Sequence, residues 1–314
     1  MTHQEPRSYS SRALTHATSA FVLVPLEPLR EGLGALGLAV EKAAGVPRGA
    51  HPIWIDLGYI EGGAAEAGGV DQHTWAQWAG ATTGAAALSA LGSWLGPVGF
   101  WSGAAAGWFV GGGSGRLLSA TTSRALGCYR EAIVAVPNVV GKIGRRNATR
   151  YQFVLAMHTD GPVAVWGDET LRYGYHKRLG KLTRHSFESY EVCDQKGEAL
   201  LRAETRPPAT GAWRRPRDVA GMAGALAWMS QPLLGHLEDD RFAVSVLERR
   251  YRGARVRVAP VAGRLRTQPS LAPLLPAGDY DLLPLGPRRP WGAFVVDAVE
   301  AAVTYPEHRR KSEL

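Results

Sequence analysis

CYREAIVAVPNVV (residues 128–140) and RYQFVLAMHT (150–159) are rich in β-branched and aromatic residues and read as strands. PVAVWG (162–167) follows as a third. Upstream, SAFVLVP (19–25) and HPIWIDLGYI (51–60) also read as strands. Between them, EPLREGLGALGLAVEKAAG (27–45) spaces Leu29, Leu33, Leu36 and Val40 as one face of a helix. Downstream, HSFESYEVCDQKGEALLRAETR (185–206) reads as a hairpin turning at Asp194–Gly197, and RDVAGMAGALAWMS (217–230) as a helix. Strands resume within 241–266 and 290–305. Many strands with few helices between them predict a mainly β (α+β) chain. Its antiparallel sheet should close or sandwich, which argues against a doubly wound parallel sheet.

The 314 residues suffice for one large domain or two ordinary ones, and 45% hydrophobic with 20% charged residues is a globular composition. A net charge of +8 favours acidic partners. The arginines are scattered, however, and no binding motif accompanies them, so nucleic acid is not expected. Pairs such as Arg214–Arg215, Arg249–Arg250 and Arg309–Arg310 read as solvated faces. Two cysteines, Cys128 and Cys193, give neither a disulfide framework nor metal spacing. There is no Walker loop, dinucleotide fingerprint, HExxH or Gly-x-Ser-x-Gly elbow, so neither cofactor nor metal is expected. The apolar run from Ala20 to Pro25 is too short for a secretory signal, and a cytoplasmic protein is expected.

Only six of the 36 basic residues are lysines, and one of them, Lys177, stands directly against Arg178 in YGYHKRLGK (173–181). A lysine amine attacks a carbonyl only when neutral, and its ordinary pKa of about 10.4 keeps it charged. Burial and a neighbouring cation both lower that pKa. A lysine beside an arginine in an apolar setting therefore suits an amine that forms a Schiff base. A solvated dipeptide is the bland alternative.

LGCYREA (126–132), PVAVWGDE (162–169) and YHKRLGK (175–181) follow one another in the order of the acetoacetate decarboxylase motifs: a Gly-x-Tyr-x-Glu strand, a Gly-Arg-Glu turn and Pro-Lys-Lys-Leu. The closing stretch, LAPLLPAGDYDLLPL (271–285) and then GAFVVDAVEAAVTY (292–305), is also similar to that family's end. The chain thus resembles the acetoacetate decarboxylase superfamily over roughly residues 18–60 and 125–305. The resemblance implies a closed, cone-like antiparallel β-barrel that assembles as a homo-oligomer and uses no cofactor. It implies that Lys177 is the Schiff-base lysine, Arg178 the adjacent cation, Glu131 the active-site glutamate and Asp56 a further acid. A strand carboxylate paired with an arginine is the structural alternative for Glu131, and a strand-end acid facing water that for Asp56. His176 stands where the family has proline and Asp168 where it has arginine, and no arginine of the N-terminal arm aligns with the one that holds substrate carboxylate.

From His73 to Gly115 no Asp, Glu, Lys or Arg occurs. Gly99, Gly103, Gly107, Gly111 and Gly115 recur every fourth residue, and Gly80, Gly84, Gly92 and Gly96 precede them in register. At helical spacing these make ridges for close helix approach. Pro97 splits the run into two halves of about bilayer-spanning length, with Trp75, Trp78, Trp94 and Trp101 at their ends. A Gly/Ala-rich helical hairpin is expected, either in contact with a membrane or packed in an oligomer interface.

The expected organisation is a polar arm (1–18), a barrel domain (19–305) interrupted by the hairpin insert (62–124), and a charged tail (306–314). The expected function is a carbon–carbon lyase acting on a keto acid through a Lys177 imine. Decarboxylation of a β-keto acid leads, and aldolase or dehydratase chemistry stands close behind. The alternative is a non-covalent ligand-binding or cyclising barrel.

Overall fold

The structure is a computed structural model. It describes residues 9–67, 70–71, 81–83, 85–91, 102, 104–106, 108, 110, 129–141, 149–160, 174–175, 177–186, 189–193, 199–205, 212–250, 254–258, 261–265, 278–282, 286–289, 291–304 and 306–314. By chain contacts it divides into two units, Met1–Ala13 with Glu61–Cys128 and Leu14–Ile60 with Tyr129–Leu314. In chain order its elements begin β1 (Tyr9–Pro25), α1 (Leu26–Ala35), β2 (Leu38–Val40), β3 (Ala50–Ala67), β4 (Val70–Asp71), β5 (Tyr129–Gly141) and β6 (Tyr151–Thr159). Next come β7 (Lys177–Leu179), β8 (Lys181–Ser186), β9 (Ser189–Cys193), β10 (Ala199–Thr205), α2 (Met222–Met229), β11 (Leu233–His236) and β12 (Arg241–Ser245). The chain ends with β13 (Leu247–Arg250), β14 (Arg255–Val258), β15 (Val261–Leu265), β16 (Gly278–Leu282), β17 (Ala293–Thr304) and β18 (Glu307–Arg310).

The main sheet runs β13-β17-β1-β3-β5-β6-β11-β12-β18. A second sheet, β16-β15-β10-β9-β8, is an antiparallel meander, and its β9–β10 pair is the hairpin expected at 185–206. The main sheet is not wholly antiparallel, because β7 and β11 both run parallel to β6. They occupy successive stretches of β6, on the edge opposite β5.

The main sheet is apolar on both faces. One cluster holds Val22, Ile55, Leu57, Ala132, Val134 and Leu155, covered by Leu29 and Leu33 of α1. The other holds Phe21, Trp54, Ile133 and Met157 together with Met222, Ala225, Trp228 and Met229 of α2. Strand alternation explains the division: Ile53, Ile55 and Leu57 fall in the first, Trp54 in the second. Phe21 and Trp228 meet edge-on with centroids 5.1 Å apart.

The expected closed barrel is corrected. Closure requires the terminal strands to share hydrogen bonds, and among the described residues the sheet instead ends at β13 and β18. On one face of the sheet α2 packs against Phe21, Trp54, Ile133 and Met157. The expected helix over 27–45 is also shorter. It stops at Ala35, Gly37 takes φ +74°, and Val40 lies in β2, paired with Val139 of β5. The strand expected from residue 19 begins at Tyr9. In the insert, residues 81–83 and 85–91 are helical, as are 102, 104–106, 108 and 110. All nine glycines of the two ridges lie outside the described residues. Among the described residues no helix is long and apolar enough to cross a membrane.

Candidate active site

Register places the candidate residues. In β7, Lys177 pairs with Met157 of β6, Met157 with Ile133 of β5, and Ile133 with Asp56 of β3. Paired residues share a face, so positions 177 and 56 lie on the face of the sheet that carries the α2 cluster. The next row on that face reads Leu179, Thr159, Glu131 and Gly58. Glu131 is half-buried and Thr159 fully buried. Strand spacing and rise put the Cα atoms of Lys177 and Glu131 roughly 12 Å apart, close enough to flank one small substrate. For Lys177 the structure describes the backbone alone.

The chain approaches β7 through a tight passage. Gly174 takes φ +62°, and a Cβ there would lie 2.8 Å from the backbone of His236. Tyr175 is buried in the α2 cluster, with its phenol hydrogen-bonded to Ser245. The turn expected around Asp168 and the neighbouring His176 lie outside the described residues.

Arg178 falls on the opposite face. It is exposed and pairs with His158, whose row continues through Ala132 to Leu57. Adjacent residues of a strand face opposite ways, so the cation beside Lys177 in sequence is not beside it on the sheet. Arg178 acts on His158 instead. Burial, chiefly, and then this guanidinium push the His158 pKa down to about 4.

Sequence alone leaves Asp56 as either a site acid or a strand-end acid facing water. It is 3% exposed. Its Oδ2 accepts from Arg249 Nη2 at 2.6 Å, and its Oδ1 accepts from the Ser19 hydroxyl. The Arg249 guanidinium also lies 4.7 Å from the centre of the Trp54 ring. With both oxygens engaged, Asp56 holds Arg249 over Trp54. Arg249 was missed because it was read with Arg250 as a solvated pair. Alternation in LERR carries the signal: Leu247 and Arg249 share the buried face, while Glu248 and Arg250 are 41% and 59% exposed.

Two buried histidines make the fold acid-sensitive. His51, 1% exposed, donates Nε2–H to the Pro137 carbonyl at 2.8 Å, and burial pushes its pKa to about 4, as for His158. The unfolded chain takes up these protons near the ordinary value of 6.5, the folded chain only near 4. Between those values the unfolded state binds more protons, so stability is fully present above 6.5 and falls as pH falls. The expected loss by pH 4 is on the order of 3 kcal/mol per histidine. Urea unfolding at pH 7 and pH 4.5 checks this, and His51→Gln should remove about half of the loss.

No family model matches the sequence, and no curated protein matches it. Solved structures do. An acetoacetate decarboxylase-like enzyme from Sphingomonas wittichii RW1 superposes with a TM-score of 0.49 at 13% identity, covering 99% of this chain and 98% of that one. The chain is similar to acetoacetate decarboxylase-like enzymes. The enduracididine biosynthesis enzyme MppR with HEPES bound gives 0.48 at 10% identity, covering 98% of this chain and 90% of that one. MppR complexed with the condensation product of pyruvate and imidazole 4-carboxaldehyde gives the same score and identity, over 98% and 91%.

Proposed function

We propose that the protein is a Schiff-base-forming lyase acting on a small keto acid, with Lys177 as the nucleophile and β-keto acid decarboxylation as the leading reaction. The observation that carries this is the register. Lys177 and Glu131 occupy adjacent rows on one face of the sheet, beside Ile133 and Met157, and the other acid of that face, Asp56, is paired with Arg249. An apolar neighbourhood disfavours an ammonium and favours the neutral amine, which would replace the adjacent cation as the means of activation.

The chemistry balances without a cofactor. The amine adds to the ketone and water leaves, giving a protonated imine. The bond to the carboxylate then breaks, its electron pair moves into the imine, and carbon dioxide departs. The resulting enamine takes a proton at carbon, and water hydrolyses the imine to release product and amine. Glu131 is the group placed to move those protons. Retro-aldol cleavage or dehydration would use the same electron sink.

Borohydride reduction in the presence of a panel of small keto acids should leave a covalent adduct on Lys177, located by mass spectrometry. Absence of adduct across the panel would overturn the covalent mechanism. The rival reading is a non-covalent ligand-binding or cyclising protein, and the position of Arg178 on the opposite face favours it. In that case a keto acid would bind and no adduct would form.

A further inference from the structure

Trp54 is 0% exposed, and its Nε1–H has no hydrogen-bond acceptor among the described residues. More than nine in ten buried polar groups find a partner, so an orphaned donor calls for an explanation. The indole is held in place from outside itself. Arg249 lies against its face, and Asp56, two residues along the same side of β3, fixes Arg249.

Among the described residues, Thr18 Oγ1 and Gln152 Oε1 are also buried without a partner. Thr18 alternates with Ser19, which binds Asp56, and so lies on the opposite face. Gln152 sits at the far end of β6 from Met157, and its amide already donates to the Met229 and Gln231 carbonyls. Trp54 differs from both. It lies one row from Asp56, on the side away from Glu131, and pairs with Ala135, the smallest side chain that could stand opposite it apart from glycine. Its row and that of Glu131 thus bracket the row of Lys177.

We infer that Trp54 is a specificity-determining residue: its Nε1–H donates to a carboxylate or carbonyl oxygen of the substrate, at the end remote from the reacting carbon. Which end of the ligand it meets rests on the Schiff-base reading above. That the N–H is kept for a ligand does not. Strand geometry puts the Cα atoms of Lys177 and Trp54 roughly 16 Å apart. A tryptophan, a small keto acid and a lysine placed end to end cover that span. The ligand's oxygen would supply the acceptor that the folded chain withholds.

The experiment uses the full-length protein with the Trp54 indole N–H resonance assigned by Trp54→Phe. Pyruvate, 2-oxobutanoate, acetoacetate and 3-oxopentanoate are titrated into the Lys177→Met protein, which cannot form an imine. At least one keto acid should move the Trp54 N–H resonance downfield and slow its exchange with solvent. No response to any of the four would overturn the proposal, whatever borohydride shows on the wild type.

A second variant removes the donor alone, with 3-benzothienylalanine replacing Trp54 at nearly equal shape. In the absence of ligand its unfolding midpoint should equal or exceed that of the wild type, since the replacement removes a buried donor that has no acceptor and with it the cost of desolvating that donor. A clear fall would show that the N–H has a structural acceptor and would sink the idea. In wild-type background the same replacement should weaken keto acid binding by about 10-fold to 100-fold, the range for a hydrogen bond to a charged group, with the rate at saturation little changed. Failure of borohydride trapping with a positive indole response would remove the imine and leave Trp54 as the ligand's donor.

Discussion

Replacing Lys177 by methionine should abolish turnover of the substrate and borohydride labelling together, while the protein stays folded. Loss of a covalent nucleophile lowers kcat on the order of 10⁴-fold or more where it has been dissected. Methionine matches the apolar stem of lysine, and on the apolar face that carries Met157 and Ile133 it strands no charge. The unfolding midpoint should therefore hold or rise. Arg178→Met supplies the contrast. Arg178 is exposed on the opposite face, beside His158, so this change should leave kcat within a few fold of wild type. Removing the guanidinium should raise the His158 pKa, because Arg178 is one cause of its depression. If Arg178→Met cost as much turnover as Lys177→Met, the strand alternation used here to separate the two would be refuted.

The second large effect is on stability. Asp56→Ala should destabilise the fold by about 3–5 kcal/mol, the usual cost of removing one partner from a buried ion pair. The side chains of Arg249 and Asp56 are 8% and 4% exposed, so the stranded guanidinium would lack the solvent that rescues a surface pair. An exposed pair would cost under about 1 kcal/mol. The comparison exists within the same protein: Arg150 and Glu41 meet at a similar distance, 2.7 Å, but their side chains are 61% and 42% exposed. Glu41→Ala should fall in that smaller range. Replacing Asp56 and Arg249 together by Leu and Met should recover much of the loss, because two desolvation penalties disappear with the pair. Chemical denaturation of the variants measures all of these. A cost for Asp56→Ala no larger than that for Glu41→Ala would mean that the buried pair contributes nothing specific.

The strands were legible because period and composition agree in them. IWIDL alternates its faces, and YQFVLAMHT is largely apolar because β6 is buried on both sides. The helix end at Ala35 was less legible, since Leu36 and Val40 keep helical spacing past the glycine turn at Gly37. The hairpin from residue 185 was visible in its turn residues, and its two strands pair as β9 and β10.

The candidate site divides in the same way. Sequence by itself determined that Lys177 adjoins Arg178, that Glu131 follows Tyr129 on a strand, and that an acid interrupts the apolar run at Asp56. Those are local facts, set by order along one chain. Tertiary structure alone decided that Arg178 leaves the face of Lys177, that Asp56 is held by an arginine 193 residues away, and that Trp54 keeps a buried donor without an acceptor among the described residues. It also decided that α2 packs against one face of a sheet whose described strands end at β13 and β18. The first needs only that Lys177–Leu179 be extended; the others depend on which elements lie side by side. Pairing and register arise from burying two apolar faces at once, a condition on the whole sheet that no single segment carries.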